Sequence, residues 1–183
     1  MSKPIKIVGL CGSLRTHSYS GMLLNALFDL LPEGVTVQSV DIAAIPHYNQ
    51  DFDTPEGPEA VLDGRKLIAN ADAVILTLPE FNHGVPGVLK NALDWLSRPA
   101  FNSCFAGKPV MFATIAPGAL GGVRAQYQMR ETLASMLCNL TPLPEIAVTL
   151  AGQKFTDGKL TDEATANHLK MVMDTFLKAN ELI

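Results

Sequence analysis

Five short apolar segments alternating with five helical patterns predict an α/β fold: a doubly wound five-stranded parallel sheet with helices on both faces. The segments are 5–10, 35–41, 73–78, 109–115 and 145–150, and the helical patterns fall at 18–31, 56–70, 86–97, 122–139 and 161–180. A third observation points the same way. The first segment runs into a Gly, then a hydroxyl-rich turn holding one Arg, then a helix start, which is how a sheet of this kind presents a ligand site at a strand end.

Taken in order, residues 5–10 (Ile-Lys-Ile-Val-Gly-Leu) form a mostly apolar run suited to a strand covered by helices on both sides. Met22-Leu23-Leu24-Asn25-Ala26-Leu27 opens the first helix. Residues 35–41 supply the second strand, and 46–58, with Pro at both ends, is a polar loop. Residues 73–78 (Ala-Val-Ile-Leu-Thr-Leu) and 109–115 follow the same buried pattern, whereas 145–150 is the weakest of the five. Residues 152–158 predict a turn or short hairpin before the last helix. No repeat, low-complexity tract or linker divides the 183 residues, so residues 1–183 are expected to form a single domain. Five strands with five helices match the flavodoxin-like layout, in which ligands bind beyond the carboxyl ends of the strands and the turns after strands 1, 3 and 4 meet at one edge.

Composition narrows the function classes. Hydrophobic residues make up 48% and charged residues 17%, an ordinary globular balance. The net charge of −4, with Lys and Arg scattered, argues against a nucleic-acid surface. No apolar run approaches the roughly 18 residues of a membrane span. The first strand starts within a few residues of the N-terminus and leaves no room for a signal peptide. Cys11, Cys104 and Cys138 have neither metal-ligand nor Cys-x-x-Cys spacing, and Cys11 and Cys138 read as core residues. No group of His, Cys or carboxylates has metal spacing. A cytoplasmic protein without disulfides, bound metal, membrane or nucleic-acid partners is expected.

The loop after the first strand, Gly12-Ser13-Leu14-Arg15-Thr16-His17-Ser18-Tyr19-Ser20, reads as an anion site. Free backbone N–H groups and the positive end of a helix dipole face such a turn, Ser13, Ser18 and Ser20 add short donors, and Arg15 adds a forked cation. No Lys stands where a P-loop requires one, and hydroxyls stand where a dinucleotide fingerprint has glycines. The donor set therefore suits a terminal monophosphate, although Ser18 or Ser20 could simply cap the helix. The loop after the third strand, Thr77-Leu78-Pro79-Glu80-Phe81-Asn82-His83-Gly84-Val85-Pro86-Gly87, reads as an irregular turn with unpaired amides, plus Asn82 and the apolar wall of Phe81. After the fourth strand, Ala116-Pro117-Gly118-Ala119-Leu120-Gly121-Gly122 is small enough to let a flat ring lie against backbone. A phosphate pocket beside two ring-sized clefts suggests FMN.

These residues resemble the NADPH-dependent FMN reductase family of flavodoxin-like proteins, and its bacterial chromate/quinone reductase branch in particular. The matching segments are Gly12-Ser13-Leu14-Arg15 with Ser18, Pro79-Glu80-Phe81-Asn82, residues 85–99, Gly107-Lys108-Pro109 and residues 121–127. The resemblance runs nearly end to end. It implies non-covalent FMN, electrons from NADPH or NADH, and passage to small-molecule acceptors: quinones, free flavin, azo compounds or metal oxyanions such as chromate. It implies a homodimer or homotetramer, with Arg124, Tyr127 and Glu131 on one helix face, and Glu145, as candidate subunit contacts. Carried over by position, Ser13, Arg15, Ser18, Tyr19 and Ser20 contact the FMN phosphate. Pro79, Glu80, Phe81 and Asn82 line the ribityl chain and ring, and Ala116, Pro117 and Gly118 lie by the ring's other side. The chain departs from the family pattern at Ser20, where Asn is usual, at Phe81 and His83, where Tyr is, and at Ala116 and Pro117. No catalytic side chain is implied, since flavin N5 carries the hydride, and Glu80 reads as a positioning residue or as one without a role. His17 in the anion loop is either a source of charge or solvated, and Trp95 belongs in the core or an interface. A non-catalytic flavodoxin-type electron carrier and an NAD(P)-binding Rossmann protein are the alternatives. Gly9, Gly12 and Asp41 imitate the Rossmann fingerprint, but Asp41 lies ~29 residues past Gly12 rather than ~20.

Overall fold

A computed structural model describes residues 4–183 of the chain. Five parallel strands form one sheet in the order β2-β1-β3-β4-β5. They are β1 (Lys6–Cys11), β2 (Thr36–Ser39), β3 (Ala73–Leu78), β4 (Val110–Ile115) and β5 (Ala147–Val148). Their crossovers carry α1 (Tyr19–Asp29), α2 (Glu59–Ala69), α3 (Gly87–Leu96) and α4 (Val123–Ser135), and α5 (Glu163–Ala179) closes the chain. The expected hairpin is present as β6 (Phe155–Thr156) and β7 (Lys159–Leu160), turning at Asp157-Gly158.

Burial explains why the sheet is covered on both faces. All six residues of β3 are buried. One core layer joins Ile7, Ile75, Met111 and Ile115 to Leu23, Leu27, Leu169 and Phe176 of α1 and α5. The other joins Val8, Leu10, Leu76 and Leu78 to residues of α2, α3 and α4, with the fully buried Trp95 at its centre. Gly9 belongs to the first layer: a Cβ there would lie 2.5 Å from the Phe28 ring, so its role is close helix–strand packing rather than a ligand fingerprint.

Several sequence expectations are corrected. The second strand is not apolar on both faces: β2 is the sheet edge, only four residues long, and every one is exposed. The fifth shrinks to two residues because Pro142 and Pro144 precede it and Leu150 adopts φ 51° after it. The fourth helix stops at Ser135, not at 139. Leu137 takes φ 60°, the Cys138 N–H donates to the Leu133 carbonyl and the Leu137 N–H to that of Ala134, which is a Schellman ending built without glycine. Cys11 and Cys138 are half-buried, as is Cys104, and no pair is bonded. Among the described residues no group of three metal-ligating side chains forms, and no helix is long and apolar enough to cross a membrane.

Candidate functional site

The strand order reverses between β1 and β3, because the chain leaves β1 for β2 on one side and returns to β3 on the other. In sheets of this kind ligands bind at that switch point, beyond the carboxyl ends of the strands. The loops at 12–18, 79–86 and 116–122 all leave this edge, from β1, β3 and β4, so the three loops singled out by sequence do come together.

The first loop is held at its ends and open in between. The Gly12 N–H donates to the Thr77 carbonyl at 2.7 Å, and a Cβ on Gly12 would lie 2.9 Å from that of Leu78, so the loop starts tight against β3. Ser18 is the α1 N-cap, its Oγ accepting from the Gly21 N–H at 2.9 Å, which leaves its hydroxyl proton free to donate. The buried Thr77 hydroxyl donates to the Ser20 carbonyl at 2.8 Å and fastens the first turn of α1 to β3. Arg15 and His17 are exposed, and neither side chain has a partner among the described residues. The N–H groups of Thr16, His17, Tyr19 and Ser20 likewise find none. Ser20 is only 2% exposed, yet its hydroxyl makes no bond within the described chain. A free guanidinium, several free amides at a helix N-terminus and a nearly buried, unused hydroxyl form a donor set that fits a phosphate monoester.

The third-strand loop is more regular than expected. Phe81 and Gly84 exchange backbone bonds of 3.1 and 2.8 Å around Asn82 (φ 48°) and His83 (φ 65°), a tight turn with both central residues left-handed. Its amides are therefore paired at both ends. Phe81 stands 61% exposed at the tip, and Asn82 is exposed beside it. Glu80 does not face solvent alone: its Oε2 accepts from the N–H groups of Arg124 (2.9 Å) and Ala125 (3.1 Å), the first turn of α4. Arg124 donates through Nη1 to His83 Nε2 at 3.0 Å, so that nitrogen is the acceptor and the ring carries its proton on Nδ1. The Val85 N–H donates to Gln128 Oε1 at 2.6 Å.

The fourth-strand loop passes under β5. The carbonyls of Ala116 and Gly118 accept from the Ala151 and Leu150 N–H groups. Gly121 (φ 60°) and Gly122 (φ 82°) must be glycine: an added Cβ would lie 2.8 Å from the Ala147 backbone at the first and 3.0 Å from the Thr114 Cβ at the second. Pro117, Gly118 and Leu120 remain exposed, and nothing lies within 4 Å of a Cβ built on Gly118, so this wall leaves room for a flat group.

Sequence reasoning missed the ties of Glu80 and Gln128 to α4 and that of Thr77 to α1. One signal was available: 121–123 reads Gly-Gly-Val, with no capping side chain at a helix start. The proposed subunit-contact face of α4 is exposed at Arg124, Tyr127 and Glu131, while Glu145 pairs with Arg130 of the same chain at 3.1 Å. A cavity of ≈ 300 Å³ on the far side of α4, lined by Phe112, Arg130, Leu140 and Pro142, lies away from the three loops.

The NADPH-dependent FMN reductase family matches residues 5–154. An NAD(P)H-dependent FMN reductase of Pseudomonas aeruginosa is 39% identical over 164 residues, 89% of this chain and 88% of that one. A quinone reductase of Pseudomonas putida is 37% identical over 177 residues, 96% and 95% of the two. Among solved structures, a flavoenzyme NAD(P)H:(acceptor) oxidoreductase of Paracoccus denitrificans superposes with a TM-score of 0.89 at 31% identity, covering 97% of each chain.

Proposed function

The chain belongs to the NADPH-dependent FMN reductase family, and from that premise we propose that it is an FMN-dependent NAD(P)H oxidoreductase delivering electrons to quinones. When bound, FMN supplies a two-electron carrier that takes hydride from a reduced nicotinamide and passes it to an acceptor. The chain's residues do the holding and shaping. Arg15 would pair with the phosphate, the hydroxyls of Ser13, Ser18 and Ser20 would donate to it, and the amides of Tyr19 and Ser20 add the field of the α1 N-terminus. Pro79, Phe81 and Asn82 on one side and Ala116, Pro117 and Gly118 on the other would flank the ribityl chain and ring. Their small or apolar character leaves the ring accessible to two substrates in turn. We assign no side chain a proton-transfer role.

The observation that carries this reading is the set of unused donors in the first loop, facing the switch point where a mononucleotide belongs. Quinones are the acceptor class that the relatives' names support. Free flavin, azo compounds and metal oxyanions such as chromate are acceptors to assay beside them. The exposed α4 face around Tyr127 supports a homodimer or homotetramer, which sedimentation would report. The deciding experiment is flavin extraction with a spectrum, followed by anaerobic titration with NADH and NADPH. A yellow protein bleached directly by either nicotinamide is expected. Colourless protein that takes up no FMN ends the proposal, and a flavin bleached only through a partner reductase would make it an electron carrier.

A further inference from the structure

We propose that Glu80 is a positioning residue that latches the loop after β3 onto α4 and so makes two walls of the cleft mouth one rigid unit. This rests on the reading of the cleft as an FMN site.

The helix α4 lacks a cap of its own. The first N–H groups of any α-helix have no intrahelical acceptor, and an N-cap Ser, Thr, Asp or Asn normally supplies one. The N-cap of α4 is Gly122, which has no side chain to offer. The missing acceptor comes from Glu80, 44 residues earlier in the chain: its Oε2 takes the Arg124 amide alone and shares the Ala125 amide with the Gly122 carbonyl, each at 3.1 Å from that nitrogen. A carboxylate at this end also meets the positive pole of the helix. Gly122 is part of the device, since a Cβ there would press on Thr114 at 3.0 Å and lie 3.5 Å from the Glu80 Cβ.

Two further ties act in parallel. Gln128, one turn along α4, holds the Val85 N–H, and Arg124 reaches His83. Together the three ties bracket the tight turn carrying Phe81 and Asn82. The helix itself is anchored to the sheet by Gln126, 1% exposed, whose Nε2 donates at 3.0 Å to both the Thr114 hydroxyl and the Ile146 carbonyl. Phe81 and Asn82 on the loop, and Arg124 and Tyr127 on the helix, therefore keep a fixed spacing. With its Oε2 committed to two amides, Glu80 acts on the cleft through α4 rather than by touching the reacting atoms.

Amide hydrogen exchange on the full-length protein, with steady-state kinetics on the FMN-loaded enzyme, tests this. In Glu80→Ala, exchange at Arg124 should rise about tenfold, the scale of a lost cap, and at Ala125, which keeps the Gly122 carbonyl, by less, and kcat/KM for the nicotinamide should fall mainly through KM. Glu80→Gln keeps an oxygen able to accept both amides and should restore both readouts to within about threefold. Wild-type exchange at those amides in the alanine variant overturns the proposal. So does a glutamine variant as impaired as alanine, which would give the carboxylate a direct part in the chemistry. If Glu80→Ala does not fold, Gln128→Ala keeps the test alive: faster exchange at Val85 with a raised KM supports the latch, and no change in either overturns it. The exchange pattern can be read without cofactor, so a wild-type protein that takes up no FMN defeats the functional reading alone.

Discussion

The loops after β1 and β3 leave neighbouring strands of one sheet edge, yet they use their polar groups in opposite ways. In the first, the Arg15 guanidinium, the Ser20 hydroxyl and four amides are idle among the described residues. In the third-strand loop, Glu80, His83 and Val85 are each bonded to α4. Desolvating an unpaired polar group costs roughly 1–3 kcal/mol, and among the described residues no buried side-chain nitrogen or oxygen is left without a partner, so the idle donors of the first loop are held open to solvent. Idle donors at a helix N-terminus therefore mark where a ligand completes the structure, and saturated ones mark where the protein completes itself. The distinction is testable: damage in the saturated region should show in stability, and damage in the open region in ligand affinity alone.

The largest effect belongs to the loop after β4, which like the third-strand loop is bonded within the protein, through the Ala116 and Gly118 carbonyls. Gly121→Ala puts a methyl 2.8 Å from the Ala147 backbone at a φ of 60°. Adding left-handed strain to overpacking predicts a loss of about 2–4 kcal/mol of stability, read as a lowered midpoint in urea. A midpoint within error of wild type would mean that the crossing of this loop under β5 is looser than described. Next comes Arg15→Ala on the open side. A charge-assisted contact to phosphate is worth roughly 1.5–3 kcal/mol, so FMN affinity should drop about 10- to 150-fold in a fluorescence titration. Because Arg15 has no partner among the described residues, the flavin-free midpoint should not move. Loss of stability with unchanged affinity would invert the comparison.

Two serines two residues apart sharpen it. Ser18 is the N-cap of α1 and Ser20 is idle. Ser18→Ala should cost about 1 kcal/mol of stability and weaken FMN as well. Ser20→Ala removes only a donor with nothing to donate to among the described residues, so its effect should appear in FMN affinity, several-fold, and not in the flavin-free midpoint. Equal destabilisation by both would show that Ser20 has a structural partner.

What the sequence made legible follows the same line. The central strands, the four crossover helices and the hairpin at 155–160 are visible as local pattern, because a strand covered on both faces must be apolar throughout. The anion loop is visible because Ser, Arg and Gly declare their chemistry where they stand. The edge character of β2 is hidden, since Val37 is apolar and yet 42% exposed, and only the sheet order decides which strand is outermost. The end of α4 is hidden too, because Leu137 takes the left-handed position that glycine usually signals. Long-range satisfaction is the least legible of all. Glu80 capping α4 and Gln128 holding Val85 join segments more than 40 residues apart, and no local pattern encodes a partner at that distance.

An effect confined to alkaline pH, and absent at neutrality, concerns the cysteines, which divide the way the loops do. Cys11 lies on the ligand edge, 3.9 Å from the Ser18 hydroxyl. Cys104 and Cys138 lie against the α2–α4 core layer. Burial pushes the Cys104 thiol up from 9.0 to about 11, against the pull of Arg65 and Lys108. Burial, with Cys104 adding to it, pushes Cys138 up from 9.0 to about 12. A raised value in the native state means that the folded protein holds these protons after the unfolded chain has released them. The stabilisation from both thiols is thus complete below pH 9 and is lost as pH climbs through 11 and 12. Melting temperature should fall over that window, and Cys104→Ala combined with Cys138→Ala should make the fall shallower, even though the emptied space lowers stability at neutral pH. An unchanged slope in the double variant would mean that these thiols ionise in the folded protein as readily as in the unfolded chain, and that the sheltered side is wetter than its packing indicates.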